Sequence, residues 1–297
     1  MSQRLTVIVA TNRPESYKKF KELWQDKLDL LPVFDDDITY KEIYEALRKD
    51  AWIIPHKSDA IASWGIYKAW KRGDEFILSM SDDCYPTDDD INQHILNFNI
   101  PVRVFKSTCK FRVRGVPYKR PDLEGVVVMS HGLWENIPDL DASSQLTLQK
   151  FPEVNNYEET KVMTGYWPMC NMNVAFKREI APLMYFGLMG EGWPYDRFGD
   201  IWCGIVAQKI MKHLGLYAVS GHPFIHHDRA SDPIRNLVKE APGVEVNEYF
   251  WERVDEVQLT KTSVEDCYLE LWDKIDLQGE YWKKRKEATK IWINLFQ

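Results

Sequence analysis

Three observations predict an α/β fold in which a mostly parallel sheet is flanked by helices. Short apolar runs rich in β-branched residues alternate with segments of helical periodicity through the first hundred residues. Three of these runs end in polar clusters, at Thr11 to Arg13, Asp35 to Asp37 and Asp82-Asp83. In open sheets of this kind, ligands sit beyond the carboxyl ends of the strands, so three clusters on one edge mark a site.

Leu5 to Ala10 (LTVIVA) reads as a buried strand. Tyr17, Phe20, Leu23, Trp24 and Leu28 then recur at helical spacing. Leu30 to Phe34 predicts a second strand, Tyr40 to Arg48 a helix, and Ala51 to Ile54 a third strand. Ser58 is a good N-cap for a helix running to about Lys71, with Asp59 favourable in its first turn. Phe76 to Met80 follows as a strand. Further on, Val126 to Met129 and Met172 to Phe176 predict strands, and Asn136 to Lys150 a loop. Asp200 to Leu214, Val264 to Ile275 and Gly279 to Phe296 predict helices, the last with a basic run (283 to 286) that reads as a solvated face. The domain expectation is one unit in three stretches, 1–100, 101–255 and the C-terminal helices 256–297.

Composition narrows the function classes. Hydrophobic residues make up 44% of the 297, enough for a packed core. The net charge of −7, with no basic run interleaved with aromatics, argues against a nucleic-acid partner. Five scattered cysteines (Cys84, Cys109, Cys170, Cys203, Cys267) form no CxxC, so reduced thiols in the cytoplasm are expected. No membrane span and no signal peptide are expected. Neither a dinucleotide-binding G-x-G-x-x-G nor a P-loop is present, so a flavin or NAD has no support.

The acid pair after the Phe76 strand carries the sharpest chemistry. Two carboxylates at the end of a buried strand are costly unless a cation meets them. A divalent metal holding a diphosphate meets that need, because hard oxygen ligands suit Mn²⁺ or Mg²⁺. Asp88 to Asp90 have a plainer reading, as the first turn of a helix capped by Thr87. His226-His227 is a second ligand candidate, although a lone histidine more often serves structure. Asp200 opens a helix, as an N-cap or as a carboxylate facing a sugar. Lys110 to Arg114, with Lys119-Arg120 behind, suits phosphate through the planar guanidinium fork, or else guards an edge strand.

Longer motifs then carry a resemblance. Met169-Cys-Asn-Met-Asn-Val-Ala-Phe176, Met184 to Gly192 (MYFGLMGEG), Ser130 to Trp134, Asn136 to Asp139, His227, Ala230-Ser231, Asn236-Leu237 and Lys239-Glu240 resemble the reversibly glycosylated polypeptides, the UDP-arabinopyranose mutases known from plants. The resemblance implies a GT-A-like nucleotide-diphospho-sugar transferase fold with a Rossmann-like sheet, in one domain with a nucleotide-binding half (1–100), a sugar or acceptor half (101–255) and C-terminal helices (256–297). It implies a flavin-free interconversion of UDP-arabinopyranose and UDP-arabinofuranose that uses Mn²⁺ or Mg²⁺. It carries the metal role to Asp83 and His227. Thr11, Arg13, Asp35, Lys57 and Asp82 become the candidate nucleotide contacts, with Arg120, Arg114 and Asp200 the candidate catalytic residues. Arg120 comes before Arg114 as the sugar-carrying arginine. Ser81 and Gly199 stand where the family carries acids. The alternatives are a GT-A glycosyltransferase acting on a UDP-sugar, including on itself, and a non-catalytic partner of an active mutase. A homo-oligomer, or a hetero-oligomer with a paralogue, is the implied assembly.

Overall fold

The computed structural model describes residues 5–103, 114, 124–154, 159–228 and 231–297. The first strand, β1 (Leu5–Thr11), is apolar and buried along most of its length, which places it inside the sheet. Pro14 opens α1 (Pro14–Trp24), where its missing N–H costs nothing, and the helix buries Phe20 and Trp24. β2 (Asp29–Phe34) tolerates Pro32 because it lies at the end of the sheet. The Asp36 side chain accepts the Thr39 N–H at 2.9 Å and starts α2 (Asp37–Leu47).

The third strand expected at Ala51 to Ile54 is instead part of a 3₁₀ helix, Arg48–Ile53. Both sides of β1 are already taken, by β2 and by β3 (Phe76–Met80), so no sheet position remains for the run there. Its apolar residues Ile53 and Ile54 are buried off the sheet. Next comes α3 (Ala60–Arg72), closed by Gly73 in the left-handed conformation.

β4 (Cys84–Tyr85) follows the acid pair, then α4 (Gln93–Asn97) and β5 (Val102–Arg103). The Thr87 hydroxyl does accept the Asp89 N–H, at 3.2 Å, but the helix begins only at Gln93. Asp89 is therefore not a helix-end acid; its carboxylate meets the Phe224 N–H at 2.7 Å and His222 Nδ1 at 2.6 Å. β6 (Glu124–Asn136) extends well past the expected Val126 to Met129. The loop expected after it holds a short helix, α5 (Ala142–Thr147), capped by Asp141. The remaining elements are β7 (Lys161–Val162), β8 (Asn173–Lys177), α6 (Gly199–Leu214), β9 (Leu216–His227), α7 (Pro233–Glu256), α8 (Val264–Lys274) and α9 (Glu280–Asn294).

The sheet order is β2-β1-β3-β8-β6-β9-β4, with β5 on β6 and β7 on β9. β2, β1, β3, β6 and β9 run in one direction; β8 and β4 run in the other. The sheet is thus largely parallel, and five strands deliver their carboxyl ends to one edge. A large core packs under α2, α3 and α6 to α9, and a smaller one under α1 and α4. A buried polar network ties α4 to the sheet: His94 contacts Ser130 Oγ and Asn173 Oδ1, each at 2.8 Å.

The basic run of α9 is not wholly a solvated face. Arg285 is buried, stacks on Tyr185 and Trp272, and donates to the Tyr185 carbonyl at 3.0 Å. Among the described residues, no helix is long and apolar enough to cross a membrane.

Candidate functional site

The fully buried β3 carries Asp82 and Asp83 to the strand-end edge. Asp82 is 1% exposed and spends its carboxylate on β1's end. Thr11 Oγ1 donates to Asp82 Oδ2 at 2.5 Å, Arg13 Nε donates to the same oxygen at 3.1 Å, and Arg13 Nη2 pairs with Oδ1. Burial raises the Asp82 pKa above the ordinary carboxylate value, while Thr11 and Arg13 pull against it. Asp83 receives Arg13 Nη2 at 3.3 Å.

His227 reaches Asp83 because β4 pairs with β9 in a register that sets Cys84 opposite His227. His227 Nε2 lies 3.9 Å from Asp83 Oδ1. His227 Nδ1 lies 2.7 Å from the Ile137 carbonyl, which can only accept, so Nδ1 carries a proton. In the neutral ring Nε2 then presents a lone pair toward the Asp83 carboxylate. A carboxylate and an imidazole with its tautomer fixed from behind suit a divalent cation that takes its other ligands from diphosphate and water. Among the described residues, no group of three or more His, Cys, Asp and Glu gathers as a protein-only metal cage.

A second group of acids converges from three elements. Asp59 precedes α3, Asp139 follows β6, and Asp200 sits in the first turn of α6. Asp200 accepts the Asn171 N–H and the Ile201 N–H, both at 2.9 Å. Those donors favour the charged form, yet burial and the charges of Asp59 and Asp139 lift its pKa to about 7. Asp59 is exposed to solvent. Asn171 belongs to the segment just before β8, next to Met172, whose carbonyl accepts the Ser81 N–H at 3.4 Å. The 169–172 segment therefore lies between the Asp82-Asp83 pair and Asp200. The Asn171 Oδ1 atom is buried there without a protein hydrogen-bond partner.

The structure brings Thr11, Arg13, Asp82, Asp83 and His227 together at this edge. Asp35 stays at the same edge through its N–H to the Thr11 carbonyl, at 2.8 Å. Lys57 is exposed and paired with Glu191 at 2.9 Å, beside Gly190, whose left-handed backbone lies against the Lys57 carbonyl. Arg114 is exposed, and Arg120 lies outside the described residues. The sequence reading missed Asp59, Asp139, Asn171 and Arg197 as site residues. Asp139 had a visible signal: once β6 is traced to Asn136, it is another acid just past a strand end.

Gly199 has a local cause. A Cβ there would lie 2.8 Å from the Phe186 carbonyl oxygen, so the 184–190 segment fills the space that an acid would need.

Residues 20–297 match the family model for the reversibly glycosylated polypeptides. The chain belongs to this family. Its relatives include "UDP-arabinopyranose mutase 1" from Arabidopsis thaliana, 36% identical over 285 residues, covering 85% of this chain and 76% of its own length. "UDP-arabinopyranose mutase 3" from Arabidopsis thaliana is 38% identical over 258 residues, covering 77% and 68%. "Probable UDP-arabinopyranose mutase 2" from Solanum tuberosum is 37% identical over 279 residues, covering 85% and 74%. The mixed α/β sheet agrees with the GT-A-like fold expected of such a family member.

Proposed function

We propose that this protein is a UDP-arabinopyranose mutase that interconverts the pyranose and furanose forms of UDP-arabinose. The observation that carries this reading is the two-ended edge of a family member: an Arg13, Asp83 and His227 end suited to a diphosphate, and an Asp59, Asp139 and Asp200 end suited to sugar hydroxyls. Asp83 and His227 are the residues that would hold Mn²⁺ or Mg²⁺, and the bound ion would neutralise charge on the departing UDP. Thr11, Arg13 and Asp35 are the residues proposed to face the nucleoside and diphosphate, with Asp82 holding Thr11 and Arg13 in place. Free buried thiols at Cys84, Cys170, Cys203 and Cys267 support a reducing, cytoplasmic setting.

The bond changes set what the residues must do. The bond from C1 to the UDP oxygen breaks, and its electron pair leaves on UDP. The C1–O5 bond breaks and the C1–O4 bond forms. The O4 hydroxyl gives up its proton, the former ring oxygen O5 gains one, and UDP recaptures C1. One proton therefore moves from O4 to O5 with no net gain or loss. A carboxyl group with a pKa near neutrality suits that transfer, and Asp200, raised to about 7, has this property. On this reading the acid end handles a proton, where the sequence alone suggested an N-cap or a carboxylate facing a sugar.

The test incubates the purified protein with UDP-arabinopyranose and Mn²⁺ and separates the two ring forms. UDP-arabinofuranose is expected, with little free UDP. Stoichiometric release of UDP would favour a transferase, and an absence of furanose would overturn the reading.

A further inference from the structure

One face of α9 takes hold of the backbone of a distant segment. Trp292 Nε1 donates to the Pro182 carbonyl at 2.8 Å, Arg285 Nη2 to the Tyr185 carbonyl at 3.0 Å, and the Tyr281 hydroxyl to the Leu188 carbonyl at 3.0 Å. The three donors share a helix face, and their acceptors are every third residue of a strap, 182–190. Arg285 is the unusual member. It is 5% exposed, and among the described residues no carboxylate pairs with it. Its charge rests on the rings of Tyr185 and Trp272, 4.3 and 4.7 Å from the guanidinium carbon, on the Tyr185 carbonyl, and on Thr289 Oγ1 at 3.0 Å. A buried charge is costly, and an apolar side chain would fill the same space at less cost. Packing alone therefore does not account for an arginine here. The guanidinium also lies against Gly187, where the backbone is left-handed at φ +85° and a Cβ would sit 2.7 Å from Arg285 Nε.

The other side of the strap meets the acid end of the cleft. The Phe186 N–H donates to Ser63 Oγ of α3 at 2.9 Å. A Cβ on Gly190 would lie 2.8 Å from the Lys57 carbonyl oxygen and 2.8 Å from Ser58 Cβ, just before α3. The Phe186 carbonyl bears on Gly199, the residue before Asp200. The diphosphate end is held differently, by Thr11, Arg13 and the pairing of β4 with β9. We propose that Arg285 is a positioning residue: with Tyr281 it fixes the strap, and the strap fixes where α6 starts and so where Asp200 stands toward the sugar. This rests on the mutase reading for its purpose, while the line of contacts from α9 to Gly199 stands apart from it.

The amides of Asn171 and Ile201 report the seat of Asp200, since both donate to its carboxylate at 2.9 Å. Full-length Arg285→Met, Arg285→Lys and Tyr281→Phe are compared with wild type by ¹⁵N amide NMR, by calorimetric titration with UDP and Mn²⁺, and by the rate of furanose formation. Both amide signals are expected to shift, and kcat to fall by about tenfold in Arg285→Met. Arg285→Lys, which keeps the charge and loses the fork, and Tyr281→Phe, which loses one hydrogen bond, are expected to fall less. UDP affinity and binding stoichiometry should hold throughout. Unshifted amides or wild-type turnover in the folded variants would overturn the proposal. So would a loss of UDP binding in step with turnover, which any loosening of the core would give. If Arg285→Met does not fold, Arg285→Lys and Tyr281→Phe decide by the same criteria. Shifted Asn171 and Ile201 amides, where the wild type makes no furanose, would sink the mutase reading and leave the brace standing.

Discussion

Asp82 and Asp83 are neighbours with different employment. Asp82 is buried and committed to Thr11 and Arg13, so it fastens the end of β1 to the end of β3. Asp83 turns toward His227, whose other ring nitrogen is held by the Ile137 carbonyl. On the proposed mutase reading, this division gives the metal role to Asp83 rather than Asp82. Asp83→Asn and His227→Ala are expected to abolish the rise in melting temperature that Mn²⁺ and UDP together give the wild type, and to lower turnover by roughly a hundredfold. Thermal unfolding with and without Mn²⁺ and UDP reads the first effect. A full ligand-dependent rise in both variants would move the metal elsewhere.

Elements decide what the acids can become. The start of α6 packs on the Phe186 carbonyl, and Gly199 fits because it has no Cβ. Gly199→Asp is expected to destabilise the chain by about 1–3 kcal/mol, as overpacking does. Urea unfolding measures that, and an unchanged midpoint would mean the 184–190 segment yields easily. The same dependence on neighbours sets what the sequence can reveal. β1 and β3 were legible because a continuous apolar run is the same signal whatever packs on it. Ala51 to Ile54 gave the same signal over too few residues, and the occupied flanks of β1 settled it otherwise. β9 is interrupted by Ser220-Gly221-His222-Pro223, and α7 by Pro242-Gly243, so neither shows an unbroken period. Asp83 and His227 could be paired through family resemblance. Asp59, Asp139 and Asp200 stand scores of residues apart, and only the folded sheet edge brings them to one place.

Across the whole molecule, buried titrating groups work in opposite directions with pH. Burial holds His94 at about 4 and His131 at about 3, against an ordinary 6.5. As pH falls below 6.5, the unfolded chain takes up protons that the fold refuses, so their stabilising contribution is full above 6.5 and lost toward 4. Asp200 does the reverse. Its folded value of about 7 exceeds the ordinary 3.8, so the fold keeps a proton that the unfolded chain has shed, and stability falls as pH rises between those values. Urea unfolding from pH 5 to 8 should show Asp200→Asn gaining on wild type as pH rises, levelling off above about 7. His94→Gln, weaker overall for its lost hydrogen bonds, should decline less steeply below 6.5. Curves parallel to wild type would show that these groups do not govern the profile.

The contact between Gly199 and Phe186 also couples two stretches of chain in what they can accept. No side chain fits at 199 without disturbing the Phe186 backbone, a part of the chain that no side-chain exchange at 186 removes. A larger residue at 199 is therefore tolerated only if the 184–190 segment retreats, so the two positions are expected to vary together or not at all.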